Sequence, residues 1–361
     1  MRSFAVVAAR ANQAEKGKMT MPNFNRQFVI DGRIVGDGAP VYIIAEAGVA
    51  HFGSEEKAFS LVDLAVEAGA DAVKFQVFDV DAMIAAESAE WKQRLGSRQL
   101  PYAAFDRIQA YCRERGITFF ATAHDEPSLA YLTGLDVPVY KIGSGEVGNW
   151  PFLARVAALG KPLIFSTGMY LQEQVGEALQ VIAATGNQDV AVLHCVTDYP
   201  AAPHDIALGN VGLIRERFNV ITGYSDHTAG YHIPLAAVAM GARIIEKHIT
   251  LDYNIPNAQD WKVSCGPDNL KAFVSQVRDI EAAMTTRADG PTANERKSML
   301  WASKSLVTRR EIAPGQVIVA DDLCAKRPGG GISPSRIDEV LGRVARKALG
   351  RDIVIQPEDF E

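Results

Sequence analysis

The sequence is poor in cysteine, has no long apolar run and carries no excess of positive charge. Its four cysteines, Cys112, Cys195, Cys265 and Cys324, are widely spaced and form no C-x-x-C pair. That excludes a disulfide framework and a zinc ribbon, and it predicts a reduced chain in the cytoplasm. No H-x-x-x-H spacing occurs either. No apolar run reaches the ~18 residues of a membrane span, so no membrane partner is expected. The opening MRSFAVVAARANQ holds an apolar stretch too short for a secretory core, and residues 1–25 read as a disordered leader. Lys and Arg number 37 against 43 Asp and Glu, a net charge of -6. This lacks the basic footprint of a nucleic-acid binder. An anionic ligand must be held by a few placed groups, not by the overall field.

What is present is a globular chain of 361 residues, 48% hydrophobic and 22% charged. That length suits two domains, or one large and one small. From about residue 40, short β-branched runs alternate with stretches of helical period. The runs are 41–45, 72–77, 117–121, 139–142, 162–166, 190–195, 220–223 and 243–247. Helices are predicted over 55–68, 102–115, 151–159, 172–184 and 267–285. Eight near-continuous apolar strands alternating with helices predict an α/β fold, a (β/α)8 TIM barrel. An open doubly wound sheet is the rival. Polar residues follow the strands: Glu46, Lys74 and Gln76, Thr122 and His124, Ser144 and Glu146, Ser166 and Thr167, His194, Ser225 and His227, and His248. In a barrel such ends meet around one pocket; in an open sheet they spread along an edge.

After residue 285 the rhythm stops. The domains predicted are a barrel over 26–285, a polar linker over 286–303 and a small unit of short strands and turns over 304–361. About 58 residues is near the lower limit for independent folding, so this unit is expected to lean on the barrel or on a second subunit.

Gly143-Ser144-Gly145-Glu146-Val147-Gly148 formally fits the dinucleotide fingerprint. The helix starts too late for the third glycine, and no acidic residue ends the next strand. The run reads as a tight turn placing Ser144 and Glu146 in the pocket. Lys74 and Lys141 lie in strands that should be buried. A lysine there forms an ion pair, binds an anion or serves as a Schiff-base amine. Two ammonium groups with the hydroxyls of Thr122, Ser144, Ser166 and Ser225 suit a phosphate. His227 and His248 end adjacent strands and could share one metal ion with open positions, or act simply as hydrogen-bonded pocket residues. His194 and Cys195, being neighbours on a strand, point to opposite faces and do not pair.

Taken together, the motifs resemble the sialic acid (N-acetylneuraminate) synthase family. The resemblance covers residues 40–361. It rests on Ala45-Glu46-Ala47-Gly48, Val73-Lys74-Phe75-Gln76, Tyr140-Lys141-Ile142-Gly143-Ser144-Gly145-Glu146, Phe165-Ser166-Thr167-Gly168-Met169, Leu193-His194-Cys195, Gly223-Tyr224-Ser225-Asp226-His227-Thr228 and Glu246-Lys247-His248. Lys326-Arg327-Pro328-Gly329 resembles the family's antifreeze-like (SAF, β-clip) domain. The resemblance implies a transferase of sialic acid biosynthesis that condenses phosphoenolpyruvate with an N-acyl aminohexose. It implies that Lys74, Thr122, Lys141, Ser144, Ser166 and Ser225 bind phosphoenolpyruvate, and that His227 and His248 hold a divalent metal, Mn2+ before Mg2+ or Co2+. Gln76, Glu146, Tyr199, Asp260, Trp301 and Arg327 would contact the sugar, with Arg327 reaching in from the second subunit of a domain-swapped homodimer. Glu46, Lys74 and Glu146 would be catalytic. The family often reads Gly-Ile-Asn-His after the first strand, where this chain has Gly48-Val49-Ala50-His51. The stretch ending Asp260-Trp261 is one residue longer than the usual pattern, and Thr197 stands where an Asn is common. These departures lie on the sugar side. Two other readings of the same residues stand beside the synthase: a Schiff-base aldolase or lyase on Lys74 or Lys141, and a non-catalytic sugar-binding protein.

Overall fold

The computed structural model describes residues 22–256, 258–287 and 289–361. The chain divides into two compact units, the first ending at Thr285 and the second spanning Thr286–Glu361. Most of the expected leader lies outside the described residues. Within its last part, Phe24 is buried and the Asn25 amide donates to Gln188 O.

The first unit opens with a hairpin, β1 (Gln27–Ile30) and β2 (Arg33–Gly36). Asp31 and Gly32 turn it with φ of 47° and 79°, the positive pair that a two-residue hairpin turn requires. Eight parallel strands follow: β3 (Tyr42–Gly48), β4 (Ala72–Val77), β5 (Thr118–Ala123), β6 (Tyr140–Ile142), β7 (Leu163–Ser166), β8 (Val190–Cys195), β9 (Ile221–Asp226) and β10 (Ile244–His248). They pair in sequence order, and β10 pairs with β3, so the sheet closes into a TIM barrel. The open-sheet rival is excluded.

The helices form where the local chemistry starts and stops them. Glu55–Ala68 begins at Ser54, whose side chain accepts from Lys57 N, and ends at Gly69 with φ 80°. Tyr102–Arg115 ends at Gly116 with φ 72°. Strand residues are buried on both faces, because helices cover the outside while side chains fill the inside.

The β1–β2 hairpin packs against the starting ends of several strands. Arg26 Nη1 donates to Val220 O at 3.1 Å, Thr118 Oγ1 donates to Asp31 Oδ2 at 3.0 Å, and Arg33 pairs with Asp71 at 2.6 Å. A Cβ on Gly36 would meet Ile221 Cδ1 at 2.9 Å. The opposite end of the barrel carries the polar residues.

The second unit has its own core, including Leu306, Ile312, Ile318, Leu323, Val340 and Ile355. Its hairpin is β11 (Ser305–Thr308) with β12 (Leu323–Lys326). The polar stretch expected as a linker carries a helix, Ala293–Ala302. Thr292 and Glu295 start it by capping each other's backbone amides. Among the described residues, no helix is long and apolar enough to cross a membrane.

Candidate active site

Alternation along the strands turns Glu46, Lys74, Thr122, Lys141, Ser166, Ser225 and Glu246 inward, and their contacts join them. Lys74 Nζ lies 2.7 Å from Glu46 Oε2 and 3.6 Å from Glu246 Oε2, and it donates to Thr122 Oγ1 at 3.1 Å. Lys141 Nζ donates to Ser166 Oγ at 2.7 Å and lies 3.5 Å from Glu246 Oε1. Ser225 Oγ donates to that same oxygen at 2.8 Å. Gln76 Nε2 donates to Glu46 Oε1 at 2.9 Å.

Charge on these groups is set by burial against mutual attraction. Burial alone would raise Glu246, but Lys141 and Lys74 outweigh it and hold its carboxyl down at about 2. Burial raises Glu46 in spite of Lys74. Burial lowers Lys141. Burial would also lower Lys74, yet Glu246 and Glu46 together keep it raised. The result is two cationic donors and hydroxyls arranged around one buried carboxylate. Glu246 was missed in the sequence. Its signal was there: His248 sits two residues on, so the two share one face of β10.

Beside this cluster lie the two histidines. Their ring centroids are 5.4 Å apart. His227 Nδ1 is 2.7 Å from Val196 O, which makes it the protonated nitrogen and leaves the lone pair on Nε2. Nε2 is 3.0 Å from Tyr199 OH. Burial pushes His248 down to about 3, so its imidazole is neutral. Among the described residues, no group of three or more His, Cys, Asp or Glu forms a closed metal cage. Burial would lower the His227 imidazole, but Cys195 holds it above its ordinary range, so a metal would have to displace a proton there; with that proton gone, the two imidazoles fit a divalent ion that keeps open positions, the arrangement a catalytic metal needs. Cys195 Sγ contacts His227 Nδ1 at 3.6 Å, whereas His194 faces Ile206 O. The two neighbours on β8 therefore do not act as a pair.

The residues behind the histidines are a buried pair the sequence reading also missed. Lys247 Nζ lies 2.5 Å from Asp226 Oδ2, on the opposite strand faces from Glu246 and Ser225. Asp226 Oδ1 accepts from Tyr224 OH at 2.9 Å and from Thr228 Oγ1 at 2.8 Å. This pair ties the ends of β9 and β10 where His227 and His248 leave them.

Of the other predicted residues, Ser144, Glu146 and Asp260 lie in turns that follow β6 and β10 of the first unit. Ser144 Oγ accepts from Gly168 N at 3.0 Å. A Cβ on Gly168 would sit 2.2 Å from Thr197 Oγ1 and 2.7 Å from Ser144 Oγ, so only glycine lets this turn approach so closely. Glu146, in the short turn Ser144–Glu146, stands apart from the lysines and accepts from Asn149 Nδ2 at 2.7 Å. Burial raises its carboxyl. Asp260 opens the turn Asp260–Val263 and lines a pocket with Val49, Phe52, Arg98 and Trp261. Trp301 and Arg327 belong to the second unit. Trp301 is 63% exposed, and Arg327 Nε donates to Ala302 O at 2.9 Å.

Comparison with known proteins agrees with this geometry. The NeuB family model matches residues 61–289, and the SAF domain model matches residues 303–361. An N,N'-diacetyllegionaminic acid synthase of Campylobacter jejuni is 37% identical over 87% of this chain and 98% of its own length. An N-acetylneuraminate-9-phosphate synthase of Drosophila melanogaster is 38% identical over 70% of each chain. The crystal structure of a sialic acid synthetase from Leptospira borgpetersenii, in complex with citrate, superposes with a TM-score of 0.71 at 30% identity. That match covers 77% of this chain and 96% of that one. The chain therefore belongs to the NeuB family of C–C bond-forming, phosphoenolpyruvate-dependent synthases, with a SAF domain at its C-terminal end.

Proposed function

We propose that the chain condenses phosphoenolpyruvate with an N-acyl aminohexose and water, giving a nonulosonic acid and phosphate. The observation that carries this reading is the convergence of Lys74 and Lys141 on one buried carboxylate, beside a pair of imidazoles fit for a metal. The relatives' names, a diacetylated acid in one and a 9-phosphate in another, share this chemistry and differ in the sugar.

Lys74, Lys141 and the hydroxyls of Thr122, Ser144, Ser166 and Ser225 hold the phosphate and carboxylate of phosphoenolpyruvate. His227 and His248 hold a divalent ion, Mn2+ by preference, which when bound polarises the sugar's aldehyde as a Lewis acid. Gln76, Tyr199, Glu146 and Asp260 orient the sugar. Carbon 3 of phosphoenolpyruvate attacks the aldehyde carbon, and positive charge develops at carbon 2. Glu46 stabilises that charge and takes a proton from the water that adds there. The bond from carbon 2 to the phosphate oxygen then breaks and leaves a keto group. Of the water's two protons, one ends on the former aldehyde oxygen and the other on the departing phosphate. In this reading Trp301 and Arg327 complete the sugar side across a domain-swapped homodimer. The catalytic domain spans 26–285 and the SAF domain 304–361. The free cysteines fit a cytoplasmic enzyme.

The test is phosphate release from phosphoenolpyruvate with N-acyl hexosamines, with and without EDTA. Release that needs both sugar and metal supports the reading. Turnover that survives EDTA, with borohydride trapping an adduct on Lys74 or Lys141, replaces it with a Schiff-base lyase. Saturable sugar binding without phosphate release replaces it with a binding protein.

A further inference from the structure

His124 follows β5 directly. Its backbone N donates to Val77 O at 3.2 Å, so the ladder between β4 and β5 runs one residue past Ala123. Alternation then turns Thr122 and His124 to the same inner face. Thr122 is level with Lys141 of β6, which puts His124, two residues on, level with Gly143. The contacts agree. A Cβ on Gly143 would lie 3.8 Å from His124 Cε1 and 3.9 Å from Thr122 Cγ2. The imidazole therefore stands over the inner place that Gly143 leaves without a side chain. It is one layer nearer the polar end of the barrel than Lys141 and Thr122, beside the turn that begins at Ser144.

The ring holds a nitrogen with nothing to bond. His124 as a whole is only partly buried, but its Nε2 is buried and has no hydrogen-bond partner among the described residues. A buried polar atom left unmet is costly, so Nε2 calls for a partner from outside the chain. Beside two ammonium groups, that partner is an anion. Burial, and then the charges of Lys74 and Lys141, push the imidazole down to about 4, so it carries no charge at pH 7. An uncharged imidazole can place its proton on either nitrogen, and an anionic oxygen at Nε2 selects the Nε2–H form.

We propose that His124 donates its Nε2–H to a phosphoryl oxygen of phosphoenolpyruvate, as a third donor beside Lys74 and Lys141. A third cation in that place would repel the two lysines; an uncharged N–H adds a hydrogen bond without that cost. The inference rests on the synthase reading and adds a residue to its phosphate site.

The experiment compares the full wild-type chain with His124→Phe and His124→Gln. Phenylalanine keeps a ring over Gly143 and removes both nitrogens; glutamine keeps an N–H near the place of Nε2. Steady-state assays with Mn2+, phosphoenolpyruvate and an N-acyl hexosamine that the chain turns over give KM for each substrate. Calorimetry with inorganic phosphate, without metal, gives a readout free of turnover. His124→Phe should raise KM for phosphoenolpyruvate and weaken phosphate binding by about tenfold to a hundredfold, the worth of a hydrogen bond to a charged group. KM for the sugar should stay within about threefold. His124→Gln should recover most of both losses. Wild-type KM and phosphate affinity in His124→Phe overturn the inference and leave the synthase reading standing. So does a His124→Gln variant as weak as His124→Phe, because shape alone then matters. If His124→Phe does not fold, nuclear magnetic resonance of isotope-labelled histidine in the wild-type chain decides. The His124 Nε2–H, identified by its loss in His124→Gln, should become hydrogen-bonded on adding inorganic phosphate, and a resonance that does not change overturns the inference. No metal-dependent phosphate release by the wild-type chain with any N-acyl hexosamine overturns the synthase reading, and this inference with it.

Discussion

Replacing Lys247 by methionine tests whether one buried ion pair holds the two histidine-bearing strand ends. The Lys247 and Asp226 side chains are 1% and 0% exposed, with their charged atoms 2.5 Å apart. Lys247 Nζ also donates to Thr228 O at 2.9 Å. Methionine keeps the length of the side chain and removes the ammonium. Asp226 Oδ1 then keeps its donors from Tyr224, from the Thr228 hydroxyl and from Thr228 N, while Oδ2 loses the lysine. Removing one member of a buried pair costs about 3–5 kcal/mol, because the other charge stays behind. The surviving bonds on Oδ1 place this case near the lower end, about 3 kcal/mol. The double variant Asp226→Asn/Lys247→Met removes both charges and should recover at least half of that loss. His227 and His248 each follow a member of the pair directly in the chain, so Mn2+ affinity should fall roughly tenfold to a hundredfold in the single variant. Urea unfolding followed by tryptophan fluorescence, together with a Mn2+ titration, measures both effects. A single variant within ~1 kcal/mol of wild type refutes the reasoning. So does a double variant no more stable than the single.

Other outcomes can be checked alongside. Gly168→Ala forces a methyl against Thr197 and Ser144. It should raise KM for phosphoenolpyruvate and cost about 1–3 kcal/mol in unfolding, with part of the stability returning when Thr197→Ala is added. His248→Ala should abolish EDTA-sensitive turnover; full activity of that variant in chelator removes the metal assignment. Burial raises the half-buried Glu146 carboxyl, so the folded chain binds this proton more tightly than the unfolded chain does. The resulting stability is present below the ordinary carboxylate range and is lost as pH rises through the raised value. Glu146→Gln should therefore be more stable than wild type at pH 7, equally stable in acid, and less active. Urea midpoints across pH and a turnover assay test this, and a variant less stable at pH 7 contradicts it.

Much of this fold was legible because parallel strands buried on both faces leave a continuous apolar run. The helices over 55–68, 102–115 and 172–184 were read with the ends the structure gives them. Two of the three end at Gly69 and Gly116, and glycine tolerates the left-handed cap. The β1–β2 hairpin was overlooked although Asp31-Gly32 marks its turn, because the strands are only four residues each. The helix Ala293–Ala302 was read as linker because Gly290 and Pro291 outweighed the Thr292–Glu295 cap. In the site, the lysines stood out as charges in apolar strands. Glu246 was hidden by charged and polar neighbours on its own strand.

The hairpin beneath the barrel has a consequence for traffic. It closes the base by its contacts at Val220, Thr118 and Asp71. The barrel is then a vessel with a stopper at one end and its polar residues at the other. Glu246, between the two lysines, pairs with Ile44, two residues nearer the stopper than the level where His248 pairs with Glu46. Lys74, which also pairs with Glu46, lies level with His248, so a ligand on the lysines and one on the histidines approach from the same end of the barrel. On the proposed reading the two substrates share that end, and excess sugar should slow the enzyme by competing for it.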